Sequence, residues 1–187
     1  ALIEELEQSG VCEFALEMEE EEREDFLIEI AKVFVLKSQI DHEFSGLYAQ
    51  LAQKFANSVE VFSDILYEIC RESIPTTSYD PNQKRRYLGA LLLLVEMRRA
   101  KLISSGGIAA SVDRLLAAIQ RCDPSTVFAT ATKTETAPAK QLEVCIEIVC
   151  KFLPTFLAFE RPDWIERYLE ELRQLRAQKD RVKPRIR

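Results

Sequence analysis

The sequence predicts an all-α fold in which antiparallel helix pairs stack into a superhelix, and three observations carry that prediction. Apolar residues recur at three and four positions, the period of a helix rather than of a strand. Alternating β-branched runs are scarce, and the chain holds only five glycines to punctuate hairpins. Breaks rich in Pro, Gly and Ser divide it into segments that pair at a pitch of about 35 to 50 residues, the range of helical-pair repeats. The architecture read from these features is an α-solenoid of the HEAT type with about four pairs. A globular helical bundle is the competing arrangement.

A short helix is expected at 1–9, followed by a long one at 19–38 whose apolar stripe is Phe26, Leu27, Ile30, Val33, Phe34 and Leu36. Asp41 caps a third at 43–56, with Phe44, Leu47, Tyr48, Leu51 and Phe55 on one face. A fourth, at 58–74, buries Val59, Phe62, Ile65, Leu66 and Ile69. "SIPTTSYDPNQ" breaks the pattern and restarts it: Asp80 suits an N-cap, Pro81 the first helical position and Gln83 a capping box. The helix so begun runs over 81–103, about 34 Å at 1.5 Å per residue, and "SSGG" stops it. Residues 107–121 form the next, with Ile108, Val112, Leu115, Leu116 and Ile119 inside. "CDPSTVFATATKTETAPA", residues 122–139, reads as a long loop. Helix resumes at 139–158. Pro162 opens the last one, striped by Trp164, Ile165, Tyr168, Leu169, Leu172 and Leu175. The pairs are then 1–9 with 19–38, 43–56 with 58–74, 81–103 with 107–121, and 139–158 with 162–179. They make one domain over 1–180, with a basic tail at 181–187.

At 187 residues the chain has room for one domain or an array of small repeats with a real core. No apolar run reaches the ~18 residues of a membrane span, and the Glu-crowded start lacks the apolar segment of a signal peptide. The start at Ala1 and the basic end read as those of a piece of a longer protein. Cysteines at 12, 70, 122, 145 and 150 are odd in number and irregular in spacing. They argue against a disulfide framework and for a reducing compartment. The net charge of −6 is unevenly spread. Residues 4–29 are acidic with Arg23 the only base, whereas residues 173–187 carry seven bases against Asp180 alone. Such asymmetry points to different partners for different faces.

Catalytic chemistry finds little material. His42 is the only histidine, with no nucleophile or ligand set beside it, and reads as a helix-start residue. Cys145 and Cys150 lie about 140° apart around a helix, too far to share a metal. No phosphate-loop, dinucleotide, zinc-protease or EF-hand pattern occurs. No catalytic residue, metal or cofactor is therefore expected. The acid run "EMEEEEREDF" reads as a solvated first turn favoured by the helix dipole. The aromatics Phe44, Tyr48, Phe55, Phe62 and Tyr67 fall at helical spacing and read as core rather than as base-stacking platforms.

The stretch "QKRRYLGALLLLVEMRRAKLISSGG" is apolar in the middle and positive at both ends. A helix apolar all round, as Ala90 to Val95 is, must be covered on more than one side. Burying its four leucines contributes about 6 to 12 kcal/mol gross, before entropy. Arg98, Arg99 and Lys101 suit a helix C-terminus and require no other role. Lys84, Arg85 and Arg86 sit toward the positive end and repel one another, at up to ~0.5 kcal/mol each. A partner bearing carboxylates or phosphates would offset that cost. The triplet is the first candidate contact surface, and Arg181, Lys183, Arg185 and Arg187 of the tail are the second.

Two segments carry a resemblance. "DHEFSGLYAQLAQKF", with Phe-Ser-x-x-Tyr-Ala at its heart, resembles the second helical repeat of the middle domain of translation initiation factor 4 gamma. "KRRYLGALLLLVEMRRAKLI" is similar to its third repeat, and "KPRIR" to the Arg-Ile-Arg that follows its fourth. The same domain type occurs in nonsense-mediated decay factor 2, the nuclear cap-binding large subunit and poly(A)-binding-protein partners. The resemblance implies a HEAT-type scaffold of the cytoplasm that binds the DEAD-box helicase initiation factor 4A. It would hold the helicase lobes in a productive orientation, stimulating ATP hydrolysis without doing chemistry itself. mRNA is an implied second partner, a cap-binding protein would bind through regions outside this chain, and no membrane is involved. Carried over, Lys84, Arg85 and Arg86 match the family's basic triplet, and Phe44, Tyr48 and Gly89 match structural positions. Gly89 costs ~1 kcal/mol against Ala in mid-helix, which close approach of another helix would explain. The family domain has five helix pairs, one more than is read here, and the loop at 122–139 is longer than the family's. The alternative is an RNA-binding, mRNA-decay or cap-complex adaptor on the same repeats. The chain's acidity weighs against simple phosphate binding.

Overall fold

The structure, a computed structural model, describes residues 10–74, 83–121, 137–159 and 161–182. All the regular structure among these residues is helical, with no strand. In order come α1 (Val11–Glu17), α2 (Glu20–Ile40), a 3-10 turn (His42–Phe44), α3 (Ser45–Ser58), α4 (Phe62–Glu72), α5 (Lys84–Arg99), α6 (Ser105–Arg121), α7 (Ala137–Leu157) and α8 (Ile165–Val182). The all-α class expected from the apolar period is therefore found. The helix expected at 1–9, the Asp80 and Pro81 start signals, the loop over 122–136 and Lys183, Arg185 and Arg187 lie outside the described residues. The chain divides into two compact units, Ala1–Ile74 with Arg85–Ile108 and Pro75–Lys84 with Ala109–Arg187.

In the first unit α2 packs chiefly on α4, with α3 alongside both. The buried positions of α2 are Leu27, Ala31, Val35 and Ser38, spaced four, four and three, which is one helical face. Phe55 of α3 and Phe62 of α4 are fully buried with ring centroids 4.6 Å apart, and Phe34 meets Phe62 edge-on at 5.8 Å. Arg23, the lone base of the acidic segment, turns back onto the C-terminus of α1. Its Nε donates to the Ala15 carbonyl at 2.9 Å and its Nη2 to Met18 at 2.8 Å. That single side chain occupies carbonyls that the helix end leaves without partners.

α5 is the spine of this unit. Ala90, Leu91, Leu93, Leu94, Val95 and Met97 have no exposed surface. At about 1.5 to 3 kcal/mol each, the three fully buried leucines contribute on the order of 5 to 9 kcal/mol gross. Within this unit α2, α4 and α3 each touch α5. Gly89 lies against α2 so closely that a Cβ there would sit 2.4 Å from the Ser38 carbonyl oxygen and 2.6 Å from the Gln39 Cα. The Cys70 thiol of α4 donates to the Ala90 carbonyl at 3.1 Å. Gln53 of α3 donates through Nε2 to the Ala100 carbonyl at 2.6 Å, satisfying the end of α5. The approach of α2 accounts for the helix-propensity cost of Gly89.

Three expectations need correction here. Val33 and Leu36, assigned to the buried stripe of α2, are 53% and 46% exposed, because they point away from the Leu27–Ala31–Val35 face. Phe44, assigned to the core, is 51% exposed. It ends the 3-10 turn, and the next residue, Ser45, is the one buried. Tyr48 is half-buried. Third, "SSGG" does not end α5. Lys101 does so, with φ 62°, its N–H bonding the Arg98 carbonyl at 3.0 Å while Leu102 N–H bonds Met97 at 2.9 Å. This is a Schellman closure with lysine where glycine is usual. Gly106 and Gly107 instead fall in the first turn of α6, where a Cβ on Gly107 would meet the Tyr67 ring at 3.2 Å.

The second unit is organised around aromatics. Phe152 and Phe156 of α7 stack at 6.0 Å, Phe156 stacks on Trp164 at 5.5 Å, and Trp164 meets Tyr168 of α8 edge-on at 5.2 Å. Phe152, Phe156, Ile165 and Tyr168 are buried, as are Val112 and Leu115 of α6. The Tyr168 hydroxyl donates to Asp113 Oδ1 at 2.8 Å, and the Arg167 guanidinium, 4.7 Å above the Tyr168 ring, bonds the same carboxylate. Burial first, and then the hydrogen bond with Asp113, push the Tyr168 phenol up to about 12.

Candidate functional site

The basic residues at the start of α5 separate into two kinds. Lys84, in the second unit, bonds Glu147 Oε2 of α7 at 2.6 Å. The same carboxylate takes Lys151 at 3.1 Å, and these two hydrogen bonds, Lys84 first, hold its pKa below the ordinary glutamate value. Lys84 is thus matched by the protein's own acid and is no free cation. Arg85 and Arg86, in the first unit, are exposed and make no ion pair with any described residue. Immediately after them Tyr87 is buried, followed by Gly89 against α2. The buried turn fixes where the two guanidinium groups leave the helix, so the arginines stand on a rigid element.

The other expected cations contribute differently. Arg99 pairs with Glu96 at 2.7 Å, three residues back on the same helix. Lys101 is exposed beyond the Schellman turn. Arg181 belongs to the last turn of α8, and its side chain is outside the described residues, as are those of the tail beyond it.

Near the C-terminal end of α5 an open cleft of about 490 Å³ is lined by Gly46, Ala49, Gln50 and Gln53 of α3 with Glu96, Arg99, Ala100 and Lys101. None of the leucines of α5 lines it. Its charged groups are already paired or solvated, and it holds neither a nucleophile nor a histidine. His42 begins the 3-10 turn, and its carbonyl accepts from Ser45 Oγ at 2.7 Å. Among the described residues no group of three or more His, Cys, Asp or Glu is placed to hold a metal ion, and no helix is long and apolar enough to cross a membrane.

Sequence reasoning missed two features. The partner of Lys84 lies 63 residues away, and nothing local marks Glu147 among the chain's many acids. The Arg167–Asp113–Tyr168 cluster joins positions more than fifty residues apart on α6 and α8. Comparison of the chain with protein-family models, with curated proteins and with solved structures finds no match.

Proposed function

We propose that this chain is a non-catalytic helical-repeat scaffold of translation initiation that binds and stimulates the DEAD-box helicase initiation factor 4A, with RNA as an auxiliary ligand. The observation that carries this reading is the pair Arg85 and Arg86, exposed and without a described ionic partner, at the head of a helix buried almost all round. Two guanidinium forks on a rigid base are suited to carboxylates and phosphates. The resemblance of 41–55 and 84–103 to the middle domain of initiation factor 4 gamma supplies the identity of the partner. Gly89, matched by that resemblance, has a packing reason in the approach of α2. Packing of α2 on α4, each the second helix of an expected pair, agrees with a stack of repeats. The finer architecture, an α-α superhelix of about four pairs, is part of the same proposal.

The test is a binding titration of initiation factor 4A with the wild-type chain and with Arg85→Glu/Arg86→Glu. The reading requires binding that weakens at least tenfold in the variant while its circular dichroism stays unchanged. Equal binding by the two proteins removes the arginines from the site. Tight RNA binding without helicase, falling steeply with salt, would instead favour the RNA-binding adaptor.

A further inference from the structure

The acidic and the misassigned apolar residues of α2 lie on one line. Glu22, Asp25, Glu29, Val33, Leu36 and Ile40 are all exposed and follow one another at intervals of three or four. At 100° per residue they fall within about 80° of arc, along about 27 Å of helix. The first half of this stripe is acidic and the second half apolar. Val33, Leu36 and Ile40 are each roughly half exposed, and Phe44, four residues beyond Ile40, is 51% exposed. The buried residues of the same helix, Leu27, Ala31, Val35 and Ser38, lie on its opposite face.

Helix energetics account for only part of the stripe. Acids in the first turn are favoured by the dipole, but that effect fades within a turn, and Asp25 and Glu29 lie beyond it. Lys32 pairs with Glu29 at 2.6 Å and Lys37 flanks the apolar half. Between 19 and 25 there are six acids, and Arg23, the only base, is engaged with the α1 carbonyls. The stripe thus offers a long, straight, half-acidic and half-apolar ledge.

Its chemistry selects the occupant. An anionic lipid surface would be repelled by the acidic half. A second copy laid antiparallel would set acids against Leu36, and one laid parallel would set acids against acids. Residues 1–9 carry Glu4, Glu5 and Glu7 and no base, so they lack the complementary charge. A foreign helix with an apolar half and a basic half matches the whole length. If antiparallel, its bases fall in its C-terminal half, where its own dipole favours them.

We propose that this face of α2 docks an amphipathic partner helix, laid antiparallel, whose N-terminal half is apolar and whose C-terminal half is rich in Lys and Arg. The site is separate from Arg85 and Arg86 and does not depend on the function proposed for them. The probe is a synthetic amidated helix of about five turns, with Leu at the facing positions of its first half and Lys at those of its second. A control peptide has Glu in place of the Lys.

Binding to the intact chain is read by fluorescence anisotropy at low and high salt. The expected result is saturable binding that weakens at least tenfold in Leu36→Asp and, separately, in Glu22→Lys/Asp25→Lys/Glu29→Lys. The weakening by salt is lost or reversed in the charge variant, where like charges now face each other and are screened by salt, and Arg85→Glu/Arg86→Glu binds as wild type does. Ile40→Asp serves as a second apolar variant if Leu36→Asp loses its helical signal. The proposal is overturned by absence of binding, by equal binding of the Glu control, or by variants that bind like wild type. Concentration-dependent self-association, or uptake by neutral phosphatidylcholine vesicles, abolished by Leu36→Asp would assign the face to another occupant and overturn it equally.

Discussion

Replacing Gly89 by alanine asks whether α5 is held where the packing says it is. In an isolated helix the change would stabilise by about 1 kcal/mol. Here the added Cβ would lie 2.4 Å from the Ser38 carbonyl oxygen, 2.6 Å from the Gln39 Cα and 3.0 Å from the Ser38 carbonyl carbon. All three are backbone atoms of α2, so no rotamer change relieves the overlap, and the helices must separate. Overpacking of this kind costs about 1 to 3 kcal/mol, with the upper end apt for backbone against backbone. Separation also strains the buried bond from Ser38 Oγ to the Gly89 carbonyl, 3.0 Å long, and the neighbouring Ser38–Ser45 contact at 2.8 Å. Each is worth about 1 kcal/mol. Subtracting the propensity gain leaves a net loss of about 3 kcal/mol, or about 6 to 12 °C in Tm for a chain of this size. Urea unfolding followed by circular dichroism measures it. Gly106→Ala is the control, because its Cβ would meet only Ser104 Oγ, at 3.5 Å, and it should stabilise by about 0.4 to 1 kcal/mol. A Gly89→Ala protein as stable as wild type would refute the close approach and the reason given for the glycine.

Further outcomes follow from particular side chains. Lys101→Gly should stabilise by about 1 kcal/mol in the same urea assay, because lysine at φ 62° bears a left-handed strain that glycine does not. Cys70 is fully buried, with its thiol pKa raised by desolvation, whereas Cys150 is exposed. Maleimide labelling read by mass spectrometry should therefore modify Cys150 in the native chain and reach Cys70 only on unfolding. The Tyr168 phenol, raised from 10 to about 12 in the fold, keeps its proton where the unfolded chain has lost it. Its stabilising contribution is complete below pH 10 and is lost as pH rises toward 12. Asp113→Asn should shift its ionisation downward in an ultraviolet pH titration, since the carboxylate helps to hold the proton.

What the sequence could reveal followed from how local each cause is. The helices at 20–40, 45–58, 62–72 and 84–99 were legible because apolar period and breaks act within a few turns. The buried spine was legible for the same reason, since Ala90 to Val95 leave no polar face. α1 escaped notice, being seven residues long with one buried residue, Ala15. α2 misled because both its faces carry apolar residues. Which one is core depends on where α4 lies, and so Leu27 and Val35 went inside while Val33 and Leu36 stayed out. Phe44 misled because a 3-10 turn breaks the phase on which its assignment rested. At the candidate site, the exposure of Arg85 and Arg86 could be read from their place before a buried run. The neutralisation of Lys84 could not, because Glu147 reaches it only through tertiary structure.

The most direct measurement of the central claim is RNA-dependent ATP hydrolysis by initiation factor 4A with this chain added, compared with Arg85→Glu/Arg86→Glu. The expected result is stimulation of about fivefold or more, the scale of an ordinary coupling free energy, and its loss in the variant while the fold is retained. No stimulation by the wild-type chain, or equal stimulation by the variant, would contradict it.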